Sequence, residues 1–263
     1  AWDTSDTYRY TFYKDVGGPS LAFDDDGNGF MIWFADDGTN PMSVQVGRYV
    51  KGASDPWKNA DTVPSDLAIP STYNDAPDIV ADEDGGAFAV WKTNAGEVAS
   101  SRFTKASGWS DAIAASTSSD MVNWSPRVGR VGDEFVAAWV QYVGSVSNVF
   151  ANRYADGAWS EEPDLLTSGD TSIYDWPGLG FGLDRNGNGI AAWPQDNVVR
   201  FARLIGETKS WQAEAELDVP LYQSDASAME VNAAVAPNGI AICTYAGGYP
   251  SERYDYLYVA AFE

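Results

Sequence analysis

Along the chain, short runs of alternating apolar and polar residues are interrupted by Gly, Asp, Asn and Pro, a pattern that predicts many short strands joined by turns rather than long helices. The runs repeat. "GPSLAFDDDGNGFMIW" (Gly18 to Trp33) and "APDIVADEDGGAFAVW" (Ala76 to Trp91) both read as proline, alternating apolar residues, an acidic Gly-rich turn and an apolar strand ending in tryptophan. "SPRVGRVGDEFVAAW" ends the same way at Trp139 and "LGFGLDRNGNGIAAW" at Trp193, while "VNAAVAPNGIAIC" puts Cys243 in the tryptophan position. The spacing between these ends is roughly 50 residues. Each copy continues with a second strand carrying an arginine: "VQVGRY", "VASSRF", "VFANRY" and "VRFARL" are followed by Trp57, Trp109, Trp159 and Trp211. The fifth copy reads "LYVAAF" and reaches Glu263 without that tryptophan.

Four strand-length runs in roughly 50 residues is the spacing of a propeller blade. The expected fold is therefore all-β: one domain over 1–263, a five-bladed β-propeller with four antiparallel strands per blade. The blades are predicted at 16–63, 74–115, 123–167, 174–219 and 228–263. The N-terminal "AWDTSDTYRYTFYKDVGGP" has the form of the outer segment found elsewhere as "AWSEEPDLLTSGDTSIYDWP", so residues 1–13 are expected to complete the last blade and close the ring.

Positions that every blade shares are expected to serve packing, because each interface of a ring needs the same filler. Trp33, Trp91, Trp139 and Trp193 are read as inter-blade core. Arg48, Arg102, Arg153 and Arg203 are expected to meet a carboxylate or carbonyl of their own blade, or to lie over an aromatic. The turns are more ambiguous. "DDDGNG" and "DRNGNG" begin like calcium loops, with Asp24, Asp26 and Asn28, or Asp184, Asn186 and Asn188, as ligands. Neither has a closing acid: the twelfth position falls on Ala35 and Gln195, and the ninth on Ile32 and Ala192. The fifth copy, "APNG", keeps the turn former without the acids, as a hairpin connection would. A structural turn is the expectation, and no cofactor is required.

Charge and composition then narrow the functional classes. With 16 basic against 38 acidic residues, the net charge of −22 repels a phosphate backbone or an anionic membrane and excludes nucleic acid as a natural partner. The absence of histidine excludes histidine triads, imidazole zinc sites and histidine acid–base chemistry. Cys243, the single cysteine, sits in the apolar run "GIAICTY" and reads as a buried small hydrophobe. No stretch has the length and apolarity of a membrane span. The acidic surface and a chain opening at Ala1 without methionine suit an exported, extracellular or periplasmic monomer.

Specific chemistry is expected where the blades differ. Loops leading into each innermost strand ("YKDVGG", "STYNDA", "DMVNWS", "SIYDWP", "SDASAM") and those joining second to third strands place Tyr73, Asp75, Trp124, Tyr142, Tyr174, Asp175, Trp176 and Gln195 around one funnel. Trp124 and Trp176 would offer stacking planes, Asp75 and Asp175 would accept from hydroxyls, and Tyr142 and Gln195 would close the sides, as a carbohydrate requires. The innermost strands begin with Ser20, Asp78, Arg127, Gly178 and Asn232, and an Asp78–Arg127 ion pair is expected there.

The pattern P-x-V-x-x-D-x-x-G-N-G-x-A-x-W, then V-x-A-x-R-Y and G-x-W, resembles a repeat of exported bacterial proteins over nearly the whole chain. In architecture and turns it is also similar to tachylectin-type propellers, which implies recognition of N-acetylated sugars. Non-catalytic glycan binding at the funnel is the favoured reading. A five-bladed glycoside hydrolase would instead use carboxylates such as Asp15, Asp75, Asp78, Asp175 and Glu230, and a protein-interaction scaffold is the third reading.

Overall fold

The computed structural model describes residues 15–36, 43–53, 57–62, 76–93, 95–116, 123–143, 146–168, 178–195, 198–217, 227–248 and 255–262. These residues form antiparallel sheets with no helix among them, so none is long and apolar enough to cross a membrane. Sheet 1 runs β1 (Asp15–Phe23), β2 (Gly29–Asp36), β3 (Ser43–Tyr49), β4 (Trp57–Thr62). Sheet 2 runs β5 (Asp78–Ala81), β6 (Ala87–Lys92), β7 (Val98–Thr104), β8 (Gly108–Trp109), with β9 (Ile113–Ala114) also on β7. Sheet 3 runs β10 (Asn123–Val131), β11 (Glu134–Val143), β12 (Val146–Ala155), β13 (Ala158–Trp159), with β14 (Asp164–Leu165) also on β12. Sheet 4 runs β15 (Gly180–Leu183), β16 (Gly189–Gln195), β17 (Val198–Ile205), β18 (Ser210–Trp211), with β19 (Ala215–Glu216) also on β17. Sheet 5 has β20 (Ser227–Val235), β21 (Ala241–Gly248) and β22 (Asp255–Phe262).

One difference from the predicted pattern is the fourth strand, which in sheets 2, 3 and 4 is split into two short pieces on the same neighbour. Between the pieces, the N–H groups of Ser110, Ser160 and Gln212 donate to the carbonyls of Arg102, Arg153 and Arg203, so the chain bulges without leaving the edge. The innermost strands carry bulges too: the register shifts between Gly17 and Ser20, and between Trp124 and Arg127. Each shift spans a proline, Pro19 or Pro126, which has no N–H to give the ladder.

The sheets pack in chain order, first strand beside first strand. Trp91 lies with Ile32, Phe34, Val44 and Val46 of sheet 1, Trp139 with Phe88 and Val90 of sheet 2, and Trp193 with Ala138 and Val149 of sheet 3. Cys243 takes the same place against Ala192 and Val199 of sheet 4. Each repeated residue therefore presses on the preceding sheet, the core role read for it, and burial pushes the Cys243 thiol up to about 11. The C-terminal ends of four innermost strands converge, since Phe23, Ala81, Arg130 and Arg185 line one cavity of about 200 Å³. Arg185 of sheet 4 reaches Asp25 of sheet 1 at 3.0 Å beside it. The arrangement is propeller-like, with sheets curling about a common axis.

Candidate functional site

The acidic turns use their own side chains. Asp24 Oδ1 accepts the Asn28 backbone N–H at 2.7 Å and Oδ2 accepts Asn28 Nδ2 at 2.8 Å. Asn28 Oδ1 accepts in turn from the N–H of Lys51 in the next hairpin. Sheet 4 repeats the device: Asp184 binds Asn188 through both oxygens, and Asn188 Oδ1 accepts from Gly206 N–H. Gly27 and Gly187, with φ of 82° and 87°, supply the left-handed step that folds each turn onto its aspartate. Burial alone would raise the Asp24 pKa, but the bonds from Asn28 and the charge of Lys105 hold it below the ordinary carboxylate value. The calcium-like motif thus brings Asp24 and Asn28, and Asp184 and Asn188, onto one another.

The repeated arginines also turn to the protein, reaching further than expected. Arg153 meets Glu134 of its own sheet at 2.7 Å and Arg102 lies 3.6 Å from Asp82. Arg48 and Arg102 also lie over Phe103 and Phe135 of the following sheet, and Arg203 donates to the Gly239 carbonyl of sheet 5. Arg48, Arg102 and Arg203 thus rivet neighbouring sheets.

At the opposite end from the cavity, where the innermost strands begin, Asp78 corrects the expected ion pair. Its Oδ1 accepts from Ser20 Oγ at 2.6 Å and its Oδ2 from the Val128 N–H at 3.0 Å, tying together the first strands of sheets 1, 2 and 3. Arg127 donates instead to the Pro126 carbonyl. A short carboxylate reaches a neighbouring hydroxyl and N–H more readily than a guanidinium turned back along its own strand.

Of the predicted ligand residues, Tyr73, Asp75, Tyr174, Asp175 and Trp176 lie outside the described residues. Trp124, described through its backbone, opens β10 opposite Val140, and Tyr142 stands half-buried near the end of β11, so both occupy one end of sheet 3. Gln195 is 2% exposed and accepts the Trp193 indole N–H at 2.9 Å; Gln141 does the same for Trp139 at 3.0 Å. Gln195 therefore has a structural duty, whose sequence signal was the shared W-x-Q spacing.

A feature that the sequence reading missed lies at the rim. A groove of about 370 Å³ separates sheets 3 and 4, lined by Asp164, Ser168, Trp211, Gln212 and Glu214. Ser168 N–H donates to Glu214 at 2.6 Å, and Arg200 pairs with the same carboxylate at 2.9 Å, so the two walls are clamped. Asp164 is exposed, and partial desolvation against the sheet raises its pKa, with the charge of Arg153 opposing it.

Neither the family models nor the curated proteins yield a match to this chain. Among solved structures, it is similar to a protein of unknown function from Dyadobacter fermentans, at 11% identity and a TM-score of 0.58, over 91% of this chain and 77% of that one. The Hadza microbial sialidase Hz136 matches at 11% identity and 0.55, over 95% of this chain, which spans 57% of the sialidase. A Penicillium chrysogenum α-L-arabinanase complexed with arabinobiose matches at 9% identity and 0.55, over 91% and 79%. At these identities the likeness speaks for the fold.

Proposed function

We propose that the chain is a closed five-bladed ring that recognises a glycan, without transforming it, at the axial face where the innermost strands begin. Tyr73, Asp75, Trp124, Tyr142, Tyr174, Asp175 and Trp176 would surround the ligand, indole faces meeting C–H surfaces and carboxylates accepting from hydroxyls, while the buried Gln195 holds Trp193 beneath them. One observation carries this reading. The side chains common to the sheets are consumed by packing, turn bonds and rivets, which supports looking for the ligand among the residues that differ between repeats. The likeness to an arabinanase and a sialidase supports a carbohydrate ligand by analogy of fold. Residues 1–13 would supply the fourth strand of sheet 5. The same protein is expected to be monomeric, exported to an extracellular or periplasmic space, and independent of metal or cofactor.

Hydrolysis is the second reading, favoured by the arabinanase likeness alone. Asp78 is committed to Ser20 and Val128, so Asp15, Asp75, Asp175 and Glu230 would have to provide the acid and its partner. A glycan array combined with arabinan, aryl arabinofuranosides and sialosides as substrates separates the readings. Binding that Trp176→Ala and Asp175→Asn each weaken at least tenfold, without product release, is the expected result. Product release would establish a hydrolase, and silence in both assays would leave a scaffold for protein partners.

A further inference from the structure

Asparagine followed by glycine is open to a reaction of the chain with itself, because glycine has no side chain to shield its nitrogen from the asparagine amide. Such pairs begin at Asn28, Asn186, Asn188 and Asn238, all in turns that leave the innermost strands. The structure grades them. Asn28 and Asn188 are held at both ends of the amide: Nδ2 donates to the turn aspartate at 2.8 and 3.0 Å, and Oδ1 accepts from the N–H of Lys51 or Gly206. The glycines that follow them, Gly29 and Gly189, open β2 and β16 in register with Phe23 and Leu183. Asn186 stands at a turn tip, where its Nδ2 donates to the Pro237 carbonyl at 3.2 Å. Asn238 occupies the corresponding tip in sheet 5 and is exposed, with Ala236 where the other turn has Asp184. Its Nδ2 meets no acceptor among the described residues, and its Oδ1 takes one long bond, 3.3 Å, from the Ile240 N–H.

We propose that Asn238–Gly239 is a self-modification site, at which the chain converts its own asparagine to aspartate and isoaspartate with water as the only co-reactant. The Gly239 N–H gives its proton to hydroxide, and its nitrogen bonds to Asn238 Cγ to close a five-membered succinimide. The Cγ–Nδ2 bond breaks as Nδ2 takes a proton from water and leaves as ammonia. A second water then adds to either ring carbonyl and opens that C–N bond, so the two products differ only in which carboxyl remains in the main chain. Gly239 N–H closes the turn onto the Ala236 carbonyl at 2.9 Å, so the reaction waits on local opening of an exposed tip. The same turn carries bonds between sheets 4 and 5: Arg203 donates to the Gly239 carbonyl at 3.0 Å and Asn186 to that of Pro237. Isoaspartate adds a methylene to the main chain between those two carbonyls and shifts them against their donors. The Asp–Asn pairs of sheets 1 and 4 thereby gain a second duty, holding each amide away from the glycine beside it.

The test incubates the full chain in ¹⁸O-labelled water at mildly alkaline pH and follows its peptides by mass spectrometry, with electron-transfer fragmentation to tell isoaspartate from aspartate. Position 238 is expected to gain one ¹⁸O in both products at least tenfold faster than Asn28 or Asn188, with Asn186 between, and the rate should rise with pH. Asp184→Ala, which releases the Asn188 amide, should speed position 188 several-fold. Incubation should also lower the thermal midpoint of the wild-type chain, and Asn238→Gln, whose longer side chain closes the ring far more slowly, should keep its own. Equal rates at all the asparagines, conversion led by any position other than 238, aspartate without isoaspartate, or no ¹⁸O at position 238 overturns the proposal. So does a midpoint that falls as far in Asn238→Gln as in the wild type.

Discussion

A carboxylate in a tight turn can serve a ligand or the turn itself, and in this protein the neighbouring asparagine decides. Asn188 spends its Nδ2 on Asp184 at 3.0 Å and its Oδ1 on the N–H of Gly206 at 3.2 Å, joining two hairpins of one sheet. Asn188→Ala removes both bonds and leaves the aspartate with fewer donors, so a loss of about 1–2 kcal/mol is expected, read from urea midpoints. Asn238→Ala, in the turn where Ala236 replaces the aspartate, should cost well under half as much. The sequence showed the turn, but the geometry that distinguishes a self-bonded Asp–Asn pair from a metal loop was legible only through a missing twelfth ligand. Glu134 gives the pH counterpart. A hydrogen bond from Lys209, outweighing burial, and the adjacent Arg153 hold its pKa below 4.5. A depressed folded pKa means stabilisation that is present above 4.5 and lost as pH falls through the folded value. Glu134→Gln should therefore be less stable than wild type at neutral pH by about 0.5–1 kcal/mol, and the gap should close on acidification. A constant gap would show that the side chain acts by packing.

Among the elements, β15 and β20 meet backbone to backbone, because β15 is short and carries glycine on alternate residues. A methyl group on Gly182 would come within 2.8 Å of the Ala234 backbone, and one on Gly180 within 2.8 Å of Asn232. Backbone cannot swing aside as a side chain can, so Gly182→Ala should destabilise by about 1–3 kcal/mol, measurable by urea unfolding. Gly52→Ala is the contrasting control: nothing lies within 4 Å, and its φ of 79° charges only for a left-handed alanine. Strands such as "AFAVW" and "FVAAW" were readable as short apolar runs bounded by turn residues, since burial on both faces of a central strand leaves a continuous apolar run. The split fourth strand was not. Pieces two residues long have no periodicity to detect, and their place is set by bonds to the neighbouring strand, not by their own composition.

For the whole molecule, the repeat makes its strongest demand at the one junction with no described counterpart. Trp33 holds the position from which Trp91, Trp139, Trp193 and Cys243 each press on the sheet before them, and no sheet precedes sheet 1 among the described residues. Its side of β1 shows Leu21 and Phe23 at 60% and 64% exposure, while sheet 5 shows Ile242 and Val259 at 44% and 66%. Ile242 stands in β21 where Ile32, Val90, Ala138 and Ala192 stand in theirs, each of those inside a core cluster. A ring seals these two apolar faces together; an open arc leaves both in water. Ile242→Asp separates the cases. In an arc it changes a solvent-facing residue and should leave the thermal midpoint within experimental scatter. In a ring it places an unpaired carboxylate against Trp33 and should cost about 2 kcal/mol or more. Removing residues 1–13 should produce a loss in the same direction, and the double variant should lose less than the sum of the two, because both changes open one interface. Full additivity would mean that the N-terminal segment and the sheet 5 face do not meet, and the ring would have to be abandoned for an arc.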